Sequence, residues 1–127
     1  MTQKDYDNLN SFFWLFSLDL KSSKRDTQNI ILQWIEKNNR YNSRSWKIDI
    51  IAKRVIAWIS NSKLTYEDAG PVYRSKFNNI IKKQINHLIN TTISFTALFG
   101  LAKITRKLFN KKTSYFAFLI LFFYHIY

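Results

Sequence analysis

The chain has 127 residues, a formal charge of +12, no cysteine, two glycines and one proline. One domain at most fits this length, disulfides and thiolate metal sites are excluded, and sandwiches and barrels are disfavoured because their tight turns consume Gly and Pro. Eleven Phe, seven Tyr and four Trp argue against disorder throughout, since disordered chains are poor in aromatics.

The elements follow in chain order as an all-α reading. Asp7 is expected to cap a first helix reaching Leu20, with Phe12, Phe13, Leu15, Phe16 and Leu20 forming a broad apolar face. A polar break over 21–25 follows, and Asp26 reads as the N-cap of a second helix. Ile30, Ile31, Trp34 and Ile35 share one face of that helix, which ends at Asn38 and Asn39. A third helix is expected from Ser45 or Trp46. It carries an apolar stripe of Ile48, Ile51, Ala52, Val55, Ile56 and Ile59, with Lys53 and Arg54 on the other side. Residues 65–71 read as a loop broken by Gly70 and Pro71. A fourth helix over 72–90 keeps a 3.6-residue period through Tyr73, Phe77, Ile80, Ile81, Gln84, Ile85, Leu88 and Ile89.

After Asn90 the pattern changes. All eight carboxylates lie at or before Asp68, whereas nine Lys or Arg and no acid follow it. Residues 103–112 are basic, and 115–127 are almost wholly apolar and aromatic. The last run is shorter than the roughly 20 residues that span a bilayer as a helix. The N-terminus carries Asp5 and Asp7 and does not read as a signal peptide. The organisation expected is therefore a helical segment over 1–90 and an anomalous tail over 91–127.

The strongest local feature is residues 45–59. Trp46, Arg54 and Trp58 could line a groove for sugar rings, because aromatic faces stack on sugar C–H surfaces and a guanidinium grips a carboxylate with two parallel bonds. The competing reading makes both Trp core anchors and Arg54 a solvated or ion-paired side chain. His87 and His125 are the only histidines; neither has a nearby carboxylate or second ligand in sequence, and His87 reads as a surface residue. No metal-ligand spacing and no glycine-rich phosphate loop occur, so neither a metal nor a cofactor is expected. Lys53, Arg54, Arg74, Lys76, Lys82 and Lys83 could meet phosphates, but they are scattered around the helices and no helix-turn-helix spacing accompanies them, which argues against nucleic acid.

Several of these segments together resemble the heparinase II/III family of polysaccharide lyases. The likeness lies in Ile31, Trp34, Ile35 and Glu36, then a polar linker closing on Ser45 and Trp46, then Arg54 and Trp58 in an Arg-x-x-x-Trp arrangement. The aromatic run over 12–16 is similar to the family's helix before the toroid, and 77–90 to a following toroid helix. The resemblance covers roughly residues 10–90. It implies antiparallel helical hairpins forming part of an (α/α) toroid, and an enzyme acting on acidic, uronate-containing polysaccharides by β-elimination. The family's catalytic Asn, Tyr and His match no position here, so the expectation is an N-terminal fragment of such a lyase, inactive alone, with no catalytic residue of its own. The departure from the family at Asn90 suggests a reading-frame shift in A/T-rich DNA. The alternative is a small basic membrane-associated protein, with 91–127 as a hydrophobic hairpin against anionic headgroups.

Overall fold

The computed structural model describes residues 1–19 and 23–108, with side chains described up to Lys103. Among these residues it is all-helical, with no strand: α1 (Gln3–Ser11), a 3₁₀ turn (Phe13–Ser17), α2 (Lys24–Asn38), α3 (Ile48–Ser60), the single-turn α4 (Ser62–Thr65) and α5 (Pro71–Leu108). Two compact units are present, Met1–Leu88 and Ile89–Tyr127.

Local chemistry sets the helix ends. α1 starts earlier than Asp7, because Thr2 and Asp5 form a reciprocal capping box: the Thr2 hydroxyl accepts from the Asp5 N–H, and the Asp5 carboxylate accepts from the Thr2 N–H. It also stops well short of Leu20, which lies outside the described residues. Phe12 adopts a left-handed conformation (φ 54°) and its N–H returns to the Leu9 carbonyl, closing the helix. A phenylalanine in that region costs about 1 kcal/mol or more. It is held there because its ring is buried edge-on against Trp34 and Trp58, at centroid distances of 5.9 and 5.1 Å.

At α2 the cap is Ser23 rather than Asp26. The Ser23 hydroxyl accepts from the Asp26 N–H, and the Asp26 carboxylate sits in the first turn, where it favours the helix dipole. α3 begins two residues later than Trp46, after a turn over 43–46. Pro71 opens α5, where its missing N–H costs nothing. That helix passes Asn90 without interruption and reaches Leu108, so the change in composition there is not a change in secondary structure. The proposed hairpin's apolar arm, 115–127, and His125 lie outside the described residues.

The core of Met1–Leu88 gathers Phe12, Leu15, Ile31, Trp34, Ile35, Trp46, Ile51, Val55, Ala57, Trp58, Phe77 and Ile80. α1 and the 3₁₀ turn pack on α3, α2 packs on α4, and Phe77 of α5 stacks on Trp58 at 5.3 Å. The face α3 buries is rotated from the expected stripe. Ile50, Ile51, Arg54, Val55, Ala57 and Trp58 point inward, leaving Ile48, Ile56 and Ile59 exposed. Those three, with Ala52 between them, make an outward apolar strip. In Ile89–Tyr127, Leu98 is buried while Ile93, Phe95, Phe99 and Leu101 are exposed.

Two polar ties close the surface of Met1–Leu88. Lys24 reaches Asp68 at 2.8 Å and Glu67 at 3.0 Å, which raises the lysine pKa and lowers that of Asp68. The Tyr73 hydroxyl donates to the Thr65 carbonyl at 2.6 Å, and burial pushes its pKa above the ordinary value of 10.0. The neutral phenol is thus favoured by folding: its contribution is fully present below about pH 10 and is lost as pH rises beyond it. Tyr73→Phe should cost about 1 kcal/mol near neutrality and flatten the alkaline limb of a stability-versus-pH curve. An alkaline limb as steep as the parent's would show that Tyr73 does not carry it.

Candidate functional site

Of the residues singled out in 45–59, Arg54 is the one around which several segments gather. Arg54 is 0 % exposed and its guanidinium joins four segments of chain. Nη1 donates to the Asn10 carbonyl at the end of α1 (2.7 Å) and to the Ser45 carbonyl in the turn before α3 (3.2 Å). Nη2 donates to the same Ser45 carbonyl (3.2 Å), and Nε donates to Oε1 of Gln84 on α5 (3.1 Å). The plane of Trp34, from α2, lies 4.0 Å from the guanidinium carbon, a cation–π contact. Trp34 in turn donates its indole N–H to Oδ1 of Asn10 at 2.8 Å. Asn10 therefore receives both Arg54 and Trp34, one on its backbone and one on its side chain.

No carboxylate pairs with Arg54 among the described residues. Burial pulls its pKa down to about 9, so it stays charged at neutral pH. The cation is tolerated because neutral carbonyls, an amide and a π face take its N–H groups and its field. Gln84 Nε2 and Ser45 Oγ are also buried, without hydrogen-bond partners among the described residues. Replacing the Gln84 side chain would leave the guanidinium short of a bond in a dry site, whereas the Ser45 acceptor is a backbone carbonyl that substitution does not remove.

The expectation that Trp46, Arg54 and Trp58 line a groove open to sugar is corrected by this placement. Trp58 is 0 % exposed, packed between Phe12, Trp34 and Phe77. Trp46 is buried too, its indole N–H donating to the Asn38 carbonyl at 3.1 Å, where it ties off the C-terminus of α2. The placement of Arg54 on the outer side of α3 is likewise overturned: hydrogen-bond acceptors, rather than water or a carboxylate, satisfy it. The core reading of both Trp holds; the solvated or ion-paired reading of Arg54 does not. Gln84 carried a signal in the sequence, a lone amide within the apolar period of α5. Asn10 carried none.

His87 is partly buried, and its ring lies against Tyr41 (5.4 Å) and Trp46 (5.7 Å). Tyr41 itself is 66 % exposed. Among the described residues no group of three or more His, Asp or Glu could hold a metal ion. No protein-family model matches the chain, and comparison with curated proteins and with solved structures finds no match.

Proposed function

We propose that residues 1–90 are the opening helices of an (α/α) toroid of the heparinase II/III type, a non-catalytic framework for a lyase acting on uronate-containing polysaccharide. One observation carries the reading: the residues that bear the resemblance are the residues that pack. Trp34, Ile35, Trp46 and Trp58 all belong to the core, and Arg54 ties its segments together. A likeness that lives in packing positions speaks for a shared framework and is silent about chemistry. The exposed strip of Ile48, Ile56 and Ile59 on α3 adds support, because a ring of helical hairpins would cover such a strip with its next members. On this reading the tail from 91 onward arises by a shift of reading frame, and substrate contact with acidic polysaccharide belongs to the complete enzyme.

Translation of the DNA beyond codon 90 in the other two frames tests this. The expected result is a continuation with amphipathic helices and then a strand-rich domain. Absence of any such continuation sinks the reading.

A membrane-associated protein is the second reading, favoured by the exposed Ile93, Phe95, Phe99 and Leu101 in a stretch without acids. No helix among the described residues is long and apolar enough to cross a bilayer, so the contact would be at the surface. Co-sedimentation with anionic liposomes should then be lost on deleting 91–127, and unchanged binding after deletion would refute it.

A further inference from the structure

α3 is apolar on nearly every side, the pattern of a helix that is covered all round. Its inward arc packs in the core, yet of its exposed positions only Asp49, Lys53 and Ser60 are polar. At about 100° per residue, Ile48, Ala52, Ile56 and Ile59 fall within an arc of about 80°. Ile48 is 39 % exposed, and Ile56 and Ile59 are each 54 % exposed. Asp49 and Lys53 lie one turn apart along one edge of that arc, both exposed. Neither makes an ion pair among the described residues.

We infer that this face of α3 is a self-association surface, on which a second copy of the chain lays its own α3 antiparallel about a two-fold axis near Ala52. Two features select a second copy over a foreign partner. The row Ile48, Ala52, Ile56 reads the same from either end. A two-fold therefore sets each Ile48 opposite the partner's Ile56, and Ala52 opposite its own counterpart. The small central side chain lets the helix axes approach to about 8 Å, the short end of the usual range. The charged edge is self-complementary as well. The two-fold keeps both edges on one side of the seam and reverses their order. Each Asp49 then lies within about 3 Å, measured along the helix axis, of the partner's Lys53, and the contact occurs twice. A surface without that reversed order meets one of the two charges unpaired or against its like.

Three partly exposed isoleucines per copy bury on the order of several hundred Å² over both copies, short of the roughly 1,000 Å² of a stable interface. The pair is therefore weak and exchanges with monomer. The net charge of +12 opposes it at low salt and is screened at about 0.15 M. In a longer protein further helices take the same place. The pairing concerns the 127-residue chain and does not depend on the lyase reading.

Sedimentation velocity of the full chain at about 0.15 M salt tests it, from about 5 to 300 μM. A monomer–dimer equilibrium is expected, with its midpoint on the order of tens to hundreds of micromolar. Ile56→Glu should weaken it about tenfold or more. Asp49→Lys and Lys53→Asp each set like charges across the seam twice, and each should weaken it about fivefold. Mixed in equal amounts, these two variants should pair with each other about as well as the parent pairs with itself, because every charge then faces its opposite. Thermal midpoints should stay close to the parent's, since all three side chains are exposed, with Asp49→Lys slightly lower because it removes a first-turn acid. A chain that is monomeric throughout, association indifferent to Ile56→Glu, or a mixture that pairs no better than either variant alone would each overturn the surface.

Discussion

Replacing Arg54 with alanine should destabilise the protein by roughly 3–5 kcal/mol, because it strands several buried acceptors at once. The carbonyls of Asn10 and Ser45 and Oε1 of Gln84 all lose their donor. The Trp34 face also loses its cation. Two companion variants separate the causes. Arg54→Met keeps most of the volume but none of the donors, and should recover little of the loss. Arg54→Lys keeps the charge, but its single nitrogen cannot serve acceptors on three segments, so it should lie nearer alanine than wild type. Urea unfolding with an unchanged slope is the measurement. A loss below about 1 kcal/mol for Arg54→Ala would mean that the guanidinium is solvated, as an ordinary surface arginine would be.

Trp58→Ala is expected to cost about 3–5 kcal/mol through the cavity it leaves among Phe12, Trp34 and Phe77. Trp58→Phe is the sharper test. The indole N–H of Trp58 has no hydrogen-bond partner among the described residues, so a phenyl ring forfeits volume but no bond. Its cost should be about 1–2 kcal/mol. By contrast Trp46→Phe removes the bond to the Asn38 carbonyl as well as volume. A tryptophan kept for stacking on a ligand at the surface would lose almost no stability in either variant, and that outcome would reopen the groove at 45–59.

These two residues also mark how far the sequence could be read. The periodicity of Trp34, Ile35, Phe77 and Ile80 places the buried faces of α2 and α5, but the expected stripes run too wide, because Ile30 and Ile89 at their edges are exposed. The face of α3 was misplaced by one assumption, that a charged residue lies outside. Once Arg54 is inside, the buried arc shifts to include Ile50, Ala57 and Trp58, and Ile56 and Ile59 turn outward. Nothing local announces this, since the acceptors that make it possible come from residues 9, 30 and 44 positions away. Phe12 was illegible for a related reason: only its burial between Trp34 and Trp58 makes a left-handed phenylalanine tolerable. The Thr2 and Asp5 capping box, by contrast, is a local signal three residues apart that the expectation of a cap at Asp7 passes over.

The central proposal is that residues 1–90 supply framework while lyase chemistry lies in a continuation. β-Elimination on a polyuronate leaves an unsaturated uronate that absorbs in the ultraviolet, so the decisive measurement is that absorbance with polygalacturonate and related polyuronates as substrate. Two proteins are compared: the 127-residue chain, and residues 1–90 joined to the downstream reading frame. The account predicts no rise with the 127-residue chain and a steady rise with the joined protein. Turnover by the 127-residue chain itself, or a joined protein that folds and stays inert on every polyuronate, would contradict it.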